Sequence, residues 1–252
     1  MDKKNGIPGW TVALMGMALT GMACSLFSVL PPTPTPLPPA PRAATNTLSQ
    51  STAVPATATH GPIFNLAVPR PHPQVQGTSM GDPNALVVVM AYGDFQCGGC
   101  GFYSQSIEPS IIIQYVATGK AYYTFVPFSF LDEIPGAVGD ESKHAAEAAY
   151  CASEQDKFWD YHDILFANQA PENSGGFSDD RLAGMAAAIG LNVTQFNVCY
   201  SSHKYQQRVL NDEIASYGTG ITAVPSFIVN GKLVDSTGLP AAIEAAYKEK
   251  GG

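Results

Sequence analysis

Two cysteines separated by two glycines are the residues with the clearest chemical use in this sequence. In Cys97-Gly98-Gly99-Cys100 the second thiol follows the first by about one helical turn, close enough for a short disulfide to close. Such a pair can carry out thiol–disulfide exchange, supply half of the ligands of a zinc site or fix a structural loop. A structural zinc requires a second ligand pair at short spacing, whereas Cys24, Cys151 and Cys199 are isolated from one another. The pattern therefore favours redox chemistry, and no metal site is expected.

The segments on either side of the pair predict where the two thiols lie. Residues 85–92, Ala-Leu-Val-Val-Val-Met-Ala-Tyr, indicate a strand buried on both faces of a sheet. After Gly101, apolar residues recur at helical spacing as far as Tyr115, so the pair lies at a helix N-terminus. Free backbone amides and the helix dipole there favour negative charge and lower the pKa of a thiol. Cys97 is therefore the predicted nucleophile and Cys100 its disulfide partner.

The charge of the chain argues against one broad class of function, nucleic-acid binding. The chain has 252 residues, which allows one sizeable domain plus appendages. Its formal net charge is −8, with 13 Lys and Arg against 21 Asp and Glu. No basic cluster is present to neutralise phosphates, so we do not expect nucleic-acid binding.

The N-terminal 30 residues have the pattern of an export segment. Lys3 and Lys4 precede an uncharged, apolar run from Ile7 to Leu30 that is long enough to span a bilayer. Positive charge on its N-terminal side predicts that the rest of the chain is exported. Three interpretations remain open: an uncleaved single-pass anchor, a lipoprotein signal cleaved before a lipidated Cys24, and an ordinary cleaved signal. Each of them places the following domain outside the cytoplasm, and the first places it at the cell membrane.

The next segment separates that run from the folded domain. Residues 31–62 are rich in Pro, Thr and Ala and cannot bury a core, so we predict a disordered, semi-extended linker. The folded domain is expected over residues 63–252.

Alternating strand and helix patterns organise this domain. Residues 121–130 form a second strand candidate, and the strand–helix–strand order implies a parallel pair. A helical block at about residues 139–218 follows, and strands resume at Pro225 with an Asn230-Gly231 hairpin turn. The predicted helices of the block cover residues 141–154, 157–169, 179–189, 193–201 and 205–217. His144 and His162 lie inside these helices, and no histidine has metal-ligand spacing.

Three groups of residues together resemble the thioredoxin-fold thiol:disulfide oxidoreductases of the DsbA type, particularly their Gram-positive-like branch. The resemblance covers about residues 83–252 and implies an α/β thioredoxin fold with an inserted α-helical subdomain. It rests on residues 94–100 after a buried strand, on Tyr150-Cys151 with residues 158–162 in the helical block, and on residues 222–227 before the later strand.

The resemblance also implies a substrate-binding element. It predicts a cis peptide bond between Val224 and Pro225 beside the active disulfide, where the backbone of Val224 can pair with an extended substrate. A trans proline that begins an edge strand is the alternative.

The sequence departs from the family pattern at two places. Both positions between the cysteines are glycine, where well-known members carry proline or histidine. Thioredoxins have a buried acid six residues before the first cysteine, and this position is Ala91. Asp94 is a candidate proton relay in its place, although an aspartate after Gly93 can equally cap the turn.

The other two cysteines of the domain have two possible roles. Since the domain is expected to be exported and relatives with a second bridge exist, the simplest fate of Cys151 and Cys199 is a structural disulfide. A second redox relay is the alternative.

The leading functional hypothesis is an extracytoplasmic, membrane-tethered protein-disulfide oxidase that acts on exported cysteine-containing proteins at Cys97–Cys100. It requires no cofactor beyond its redox-active disulfide. The resemblance implies reoxidation by a quinone-linked membrane protein that is DsbB-like or vitamin K epoxide reductase-like. Two alternatives remain: a disulfide reductase or isomerase, and a non-catalytic thioredoxin-fold binding or chaperone module with a structural disulfide.

Overall fold

A mixed five-stranded sheet forms the centre of the domain. The structure is a computed structural model that describes residues 63–135 and 139–252. The predicted N-terminal segment 1–30, including Cys24, and the predicted linker 31–62 therefore lie outside the described residues. The strands lie in the order β1-β3-β2-β4-β5. Their bounds are Ser79–Met80 (β1), Val87–Gly93 (β2), Ala121–Pro127 (β3), Ser226–Val229 (β4) and Lys232–Val234 (β5).

The register of the central strand β2 positions the cysteine pair. It runs parallel to β3, as the strand–helix–strand order predicts, and antiparallel to β4. Tyr92, near the end of β2, pairs with Ser226 at the start of β4. The segments that follow β2 and precede β4 are therefore neighbours, and these segments contain Cys97 and Pro225.

One expectation about β2 is wrong. Val87, Val89 and Ala91 are buried in the main core, but Val88 on the opposite face is 41% exposed. That second face is covered by a smaller apolar cluster around Tyr92, Phe128 and Ile221, which does not include Val88. The continuous apolar run thus marks a strand that is buried on both faces only toward its C-terminal end.

Helices surround the sheet and supply most of the remaining core. Their bounds are Gly98–Ser106 (α1), Glu108–Ile111 (α2, continued by a π-helical turn), Glu141–Ser153 (α3), Phe158–Ala167 (α4), Asp179–Ala188 (α5), Val193–Ser201 (α6), Gln206–Gly218 (α7) and Leu239–Glu249 (α8). Five of those in the described residues, α3 to α7, follow β3 and precede β4, close to the predicted positions. Helix α3 is rich in buried alanine, the strongest helix former, and packs closely against α4.

A disulfide joins two helices of this region. Cys151 on α3 and Cys199 on α6 are bonded, with a sulfur–sulfur distance of 2.08 Å and a Cα–Cα distance of 5.8 Å. Both residues are buried in the main core. The bridge ties the two ends of a long helical segment together, which suits a structural role.

Removal of this bridge should destabilise the domain. The double substitution Cys151→Ala, Cys199→Ala should lower the free energy of unfolding by about 4 kcal/mol, because the bridge closes a loop across 48 residues. Urea unfolding followed by circular dichroism without reductant measures this change. The control Cys97→Ser, Cys100→Ser removes a cross-link over only three residues and should change stability less. A double-alanine variant as stable as the wild type would contradict the structural role.

Candidate active site

Cys97 is the N-cap residue of α1, the position at which backbone amides are free to bind an anion. Its sulfur accepts a hydrogen bond from the backbone N–H of Cys100 at 3.4 Å. Cys97 is partly buried, whereas Cys100 on the first turn of α1 is only 2% exposed. Both are free thiols in this structure. The two sulfurs therefore meet different environments: one reaches solvent and the other faces the core.

These environments separate the pKa values of the two thiols. A hydrogen bond from the Cys100 thiol, assisted by the backbone amides of Cys100 and Gly99, lowers the pKa of Cys97 to about 6 against the opposing effects of burial and of the Glu172 charge. Burial, followed by the interactions with Cys97, raises the pKa of Cys100 well above its ordinary value. At neutral pH, Cys97 is consequently a thiolate and Cys100 a thiol. A thiolate is the attacking and leaving form in disulfide exchange.

The two glycines between the cysteines are not required by packing. A Cβ atom at Gly98 would meet nothing within 4 Å. At Gly99 it would make ordinary contacts of 3.6 Å with the Cys97 sulfur and the ring of Pro225. Because glycine has no side chain, neither position can stabilise the thiolate. Hydrogen bonds from Cys100 and the backbone stabilise it instead.

Gly101, by contrast, permits a contact that fixes the start of the helix. The side-chain amide of Gln169, two residues after α4, donates to the carbonyl oxygens of Phe95 at 2.7 Å and Cys97 at 2.9 Å. A Cβ atom at Gly101 would lie 2.0 Å from the Gln169 side chain. The helical region between β3 and β4 therefore holds the backbone on the N-terminal side of Cys97.

The predicted substrate-binding element lies against Cys97, the predicted nucleophile. The Val224–Pro225 peptide bond is cis. The carbonyl oxygen of Val224 is 3.7 Å from the Cys97 sulfur, and Val224 precedes the first residue of β4 by two positions. Its backbone lies beyond the paired part of the sheet and next to the reactive sulfur.

Asp94 is buried and fully engaged by neighbouring groups. One carboxylate oxygen accepts from the Gln96 backbone N–H at 2.8 Å and from the Ser142 hydroxyl at 2.7 Å. The other accepts from the Leu131 backbone N–H at 2.8 Å. Burial raises the pKa of Asp94 to about 7 despite these three hydrogen bonds. Asp94 thus ties the turn after β2 to two other segments, and its role as a proton relay stays a prediction.

Comparison with known proteins identifies the family. A protein-family model described as thioredoxin (Thioredoxin_4) matches residues 74–248. The chain belongs to the thioredoxin family. Within it, the chain is 27% identical over 175 residues to the probable disulfide bond formation protein D of Bacillus cereus, a match that covers 68% of this chain and 79% of that protein.

Solved structures show the same architecture. The oxidised BdbD of Bacillus subtilis superimposes with a TM-score of 0.61 at 24% identity, over 73% of this chain and 100% of that chain. The α-DsbA1 of Wolbachia pipientis gives 0.56 at 23% identity, over 69% and 92%. The predicted α/β thioredoxin fold with an inserted helical subdomain is confirmed. The predicted DsbA-like resemblance and the predicted class, protein-disulfide oxidoreductase, are confirmed as well.

In this thioredoxin-family protein, buried charges lie near Cys100 that sequence patterns did not reveal. Glu108, at the start of α2, and His162 and Asp163 on α4 bring potential ligand atoms within 4.8 Å of one another. The guanidinium group of Arg70 lies 3.5 Å from both carboxyl groups and pairs with them, so we do not interpret the cluster as a metal site. Tyr123 also donates to Glu108 at 2.9 Å.

The separated pKa values predict the reactivity of the two thiols. In the reduced full-length protein, Cys97 should react with iodoacetamide along a pH profile whose midpoint is near 6, and Cys100 should stay unmodified because it is buried and protonated. Mass spectrometry of samples quenched between about pH 4 and 9 measures both rates.

Two substitutions of the buried partner form the matched control. Cys100→Ala removes the hydrogen bond from the thiol and should raise the midpoint for Cys97, whereas Cys100→Ser keeps a donor and should raise it less. A wild-type midpoint at the ordinary thiol value, or no difference between the two variants, would contradict the proposed source of the acidity.

Proposed function

We propose that this protein is an extracytoplasmic protein-disulfide oxidase that introduces disulfides into exported proteins by exchange at Cys97–Cys100. The observation that carries the proposal is the asymmetry of the pair: Cys97 is accessible with a pKa of about 6, and Cys100 is buried with a raised pKa. Stabilisation of one cysteine as a thiolate favours the reduced pair and makes its disulfide a stronger oxidant.

The reaction follows from which sulfur is reachable. A substrate thiolate attacks the Cys97 sulfur of the oxidised pair, and the Cys97–Cys100 bond breaks as a mixed disulfide forms. The electron pair passes to Cys100, which takes up a proton because its thiolate is unfavourable in the core. A second substrate thiolate attacks the mixed disulfide at the substrate sulfur and releases Cys97 as a thiolate. The substrate gains one disulfide, and two electrons remain on the enzyme.

Val224 and Pro225 are the proposed substrate-binding residues. The Val224 backbone lies outside the paired strands, and its carbonyl oxygen is 3.7 Å from the Cys97 sulfur. An extended substrate segment that pairs with this backbone would bring its own cysteine next to Cys97. Such pairing uses main-chain groups and so accepts many sequences, which suits an enzyme with varied protein substrates.

The proposal places the domain at the outer side of the cell membrane. It is supported by the charge and length of the apolar run within residues 1–30, with a single-pass anchor as the favoured form and lipidation at Cys24 as the alternative. No helix within residues 63–135 and 139–252 is long and apolar enough to cross a membrane. The proposed reoxidising partner is a quinone-linked membrane protein, either DsbB-like or vitamin K epoxide reductase-like, that a tethered Cys97 can reach.

The reduction potential of the pair tests the proposed direction. Full-length protein is equilibrated with glutathione buffers, and the thiols are trapped and counted. A potential between about −120 and −180 mV is expected for an oxidase. A value near −270 mV would support a reductase instead, and a bond that resists reduction below about −300 mV would support the structural-disulfide alternative.

A second assay tests catalysis itself. Oxidised wild-type protein should form disulfides in a reduced, unfolded client, and Cys97→Ser should form none. Cys100→Ser, mixed with a client whose cysteines are already joined in a disulfide, should accumulate a mixed disulfide, because its Cys97 thiolate attacks that bond, a client thiolate leaves, and no Cys100 thiol remains to release the client. Equal client oxidation by wild type and Cys97→Ser would contradict the proposal.

A further inference from the structure

His162 is a completely buried histidine with one ring nitrogen bonded and the other free. Its Nδ1 atom lies 3.0 Å from a carboxylate oxygen of Asp163. Its Nε2 atom has no hydrogen-bond partner among the described residues, and the nearest acidic oxygen, on Glu108, is 3.9 Å away. Buried polar atoms nearly always have a partner in the protein or in bound water, so this nitrogen requires an explanation.

His162 lines a small cavity that also reaches the buried cysteine. His162, Glu108 and Cys100 line it together with Phe125, Phe166 and Pro225. Its volume is about 10 Å³, close to the smallest that holds one water molecule. Cys100, Glu108 and His162 are among the polar side chains of its wall, which also includes Tyr103 and Ser104, and such side chains provide the partners that a water needs.

We propose that His162 exchanges a proton with the Cys100 thiol through one water molecule in this cavity, and that Asp163 is its positioning residue. The inference rests on the proposed function, because it concerns the step in which the Cys97–Cys100 bond opens or closes. In this step His162 donates the proton that Cys100 takes up and accepts the proton that Cys100 loses. The sequence pattern did not place His162 in any site.

The surrounding charges fix the orientation of the imidazole ring. Burial raises the pKa of Asp163, but hydrogen bonds from His162 and His72 and the charge of Arg70 outweigh it and hold that pKa well below its usual range. Asp163 is therefore a carboxylate that accepts the Nδ1–H of His162. Nε2 is the ring nitrogen left without a partner, and Glu108, itself paired with Arg70, is the acidic group 3.9 Å from it.

Neither position at which an acid could exchange a proton with Cys100 offers a free carboxylate. Ala91 occupies the position at which thioredoxins have a buried acid. Asp94 raises the pKa of Cys100 through its charge, yet its two oxygens already accept three hydrogen bonds from Gln96, Ser142 and Leu131. His162 has the uncommitted atom.

The proton balance of the step is simple. When a substrate thiolate opens the disulfide at Cys97, the Cys100 thiolate that leaves takes a proton from Nε2 of the imidazolium through the water, and His162 then recovers a proton from solvent. In the reverse step, the Cys100 thiol gives its proton to neutral Nε2 as its sulfur attacks the mixed disulfide and releases the substrate thiolate. No oxidant or reductant beyond the exchanging thiols is required.

The test follows single-turnover exchange of the full-length protein with glutathione, by rapid quench between about pH 5 and 9. His162→Gln should slow both opening of the disulfide and attack by Cys100 about 100-fold near pH 7, the usual size of general acid–base catalysis. The difference in rate between wild type and His162→Gln for the attack by Cys100 should become smaller as the pH rises, because a growing fraction of the thiol then ionises without the histidine. Alkylation of Cys97 should keep its wild-type midpoint, because the Cys100 thiol keeps its proton and its hydrogen bond to Cys97 when His162 is replaced.

Three further variants sharpen the test. Asp163→Asn leaves the histidine in place but removes the carboxylate that orients it, and it should reproduce the altered pH profile. His203→Gln, at an exposed histidine, should match the wild type. Asp94→Asn removes a charge that raises the pKa of Cys100 and should move the high-pH part of the profile, but His162→Gln should still slow exchange about 100-fold near pH 7 in the Asp94→Asn background. Loss of the His162→Gln effect in that background would overturn the inference.

A measurement on the unmodified protein covers the case in which His162→Gln does not fold. The ¹⁵N resonances of the His162 ring should show the Nδ1–H tautomer whenever the ring is neutral, and Nε2 should shift when Cys97–Cys100 is oxidised. A redox-insensitive Nε2, or wild-type exchange kinetics in folded His162→Gln, would overturn the inference. Absence of exchange in the wild type itself would overturn the proposed function instead.

Discussion

The hydrogen bond from the buried Cys100 thiol to the Cys97 sulfur is the interaction on which the chemistry of this site depends. It exists because α1 begins immediately after Cys97, so that the backbone N–H of Cys100 donates to the Cys97 sulfur at 3.4 Å and the Cys100 thiol lowers the pKa of the same sulfur. The same helix geometry places Cys100 in the core, where burial opposes its ionisation. One local arrangement thereby creates a stable thiolate and a protonated partner from two identical side chains.

The rest of the fold keeps this arrangement in place. Strand pairing brings Val224 beside Cys97, and Gln169 holds the carbonyl oxygens ahead of the helix. Gln96, directly before Cys97, donates to Ser142 at 2.9 Å and accepts from the Asn173 backbone at 2.7 Å. The helical region between β3 and β4 is therefore part of the site. It orients the reactive turn and supplies the buried polar groups behind it.

Local patterns were sufficient to predict much of this structure. The order of strands and helices follows from apolar periodicity, and the predicted helix 193–201 has the bounds of α6. Patterns could not show that Val88 is 41% exposed, because a uniform apolar run does not reveal which parts of a face are covered. Nor could they group Arg70, Glu108 and Asp163, which are far apart in sequence and meet only after the helices pack. His162 lies among aromatic residues of a buried helix, where its pattern is that of a packing residue.

The pH dependence of the reduction potential tests the central claim most directly. If Cys97 ionises near pH 6 and Cys100 stays protonated, reduction takes up two protons per two electrons below that pH and one proton above it. The potential should then fall by about 59 mV per pH unit under acidic conditions and by about 30 mV per unit above the break. A break near pH 6 is the predicted result. A single slope of about 59 mV per unit to pH 8 would show that the pair holds no stabilised thiolate, and would contradict the account.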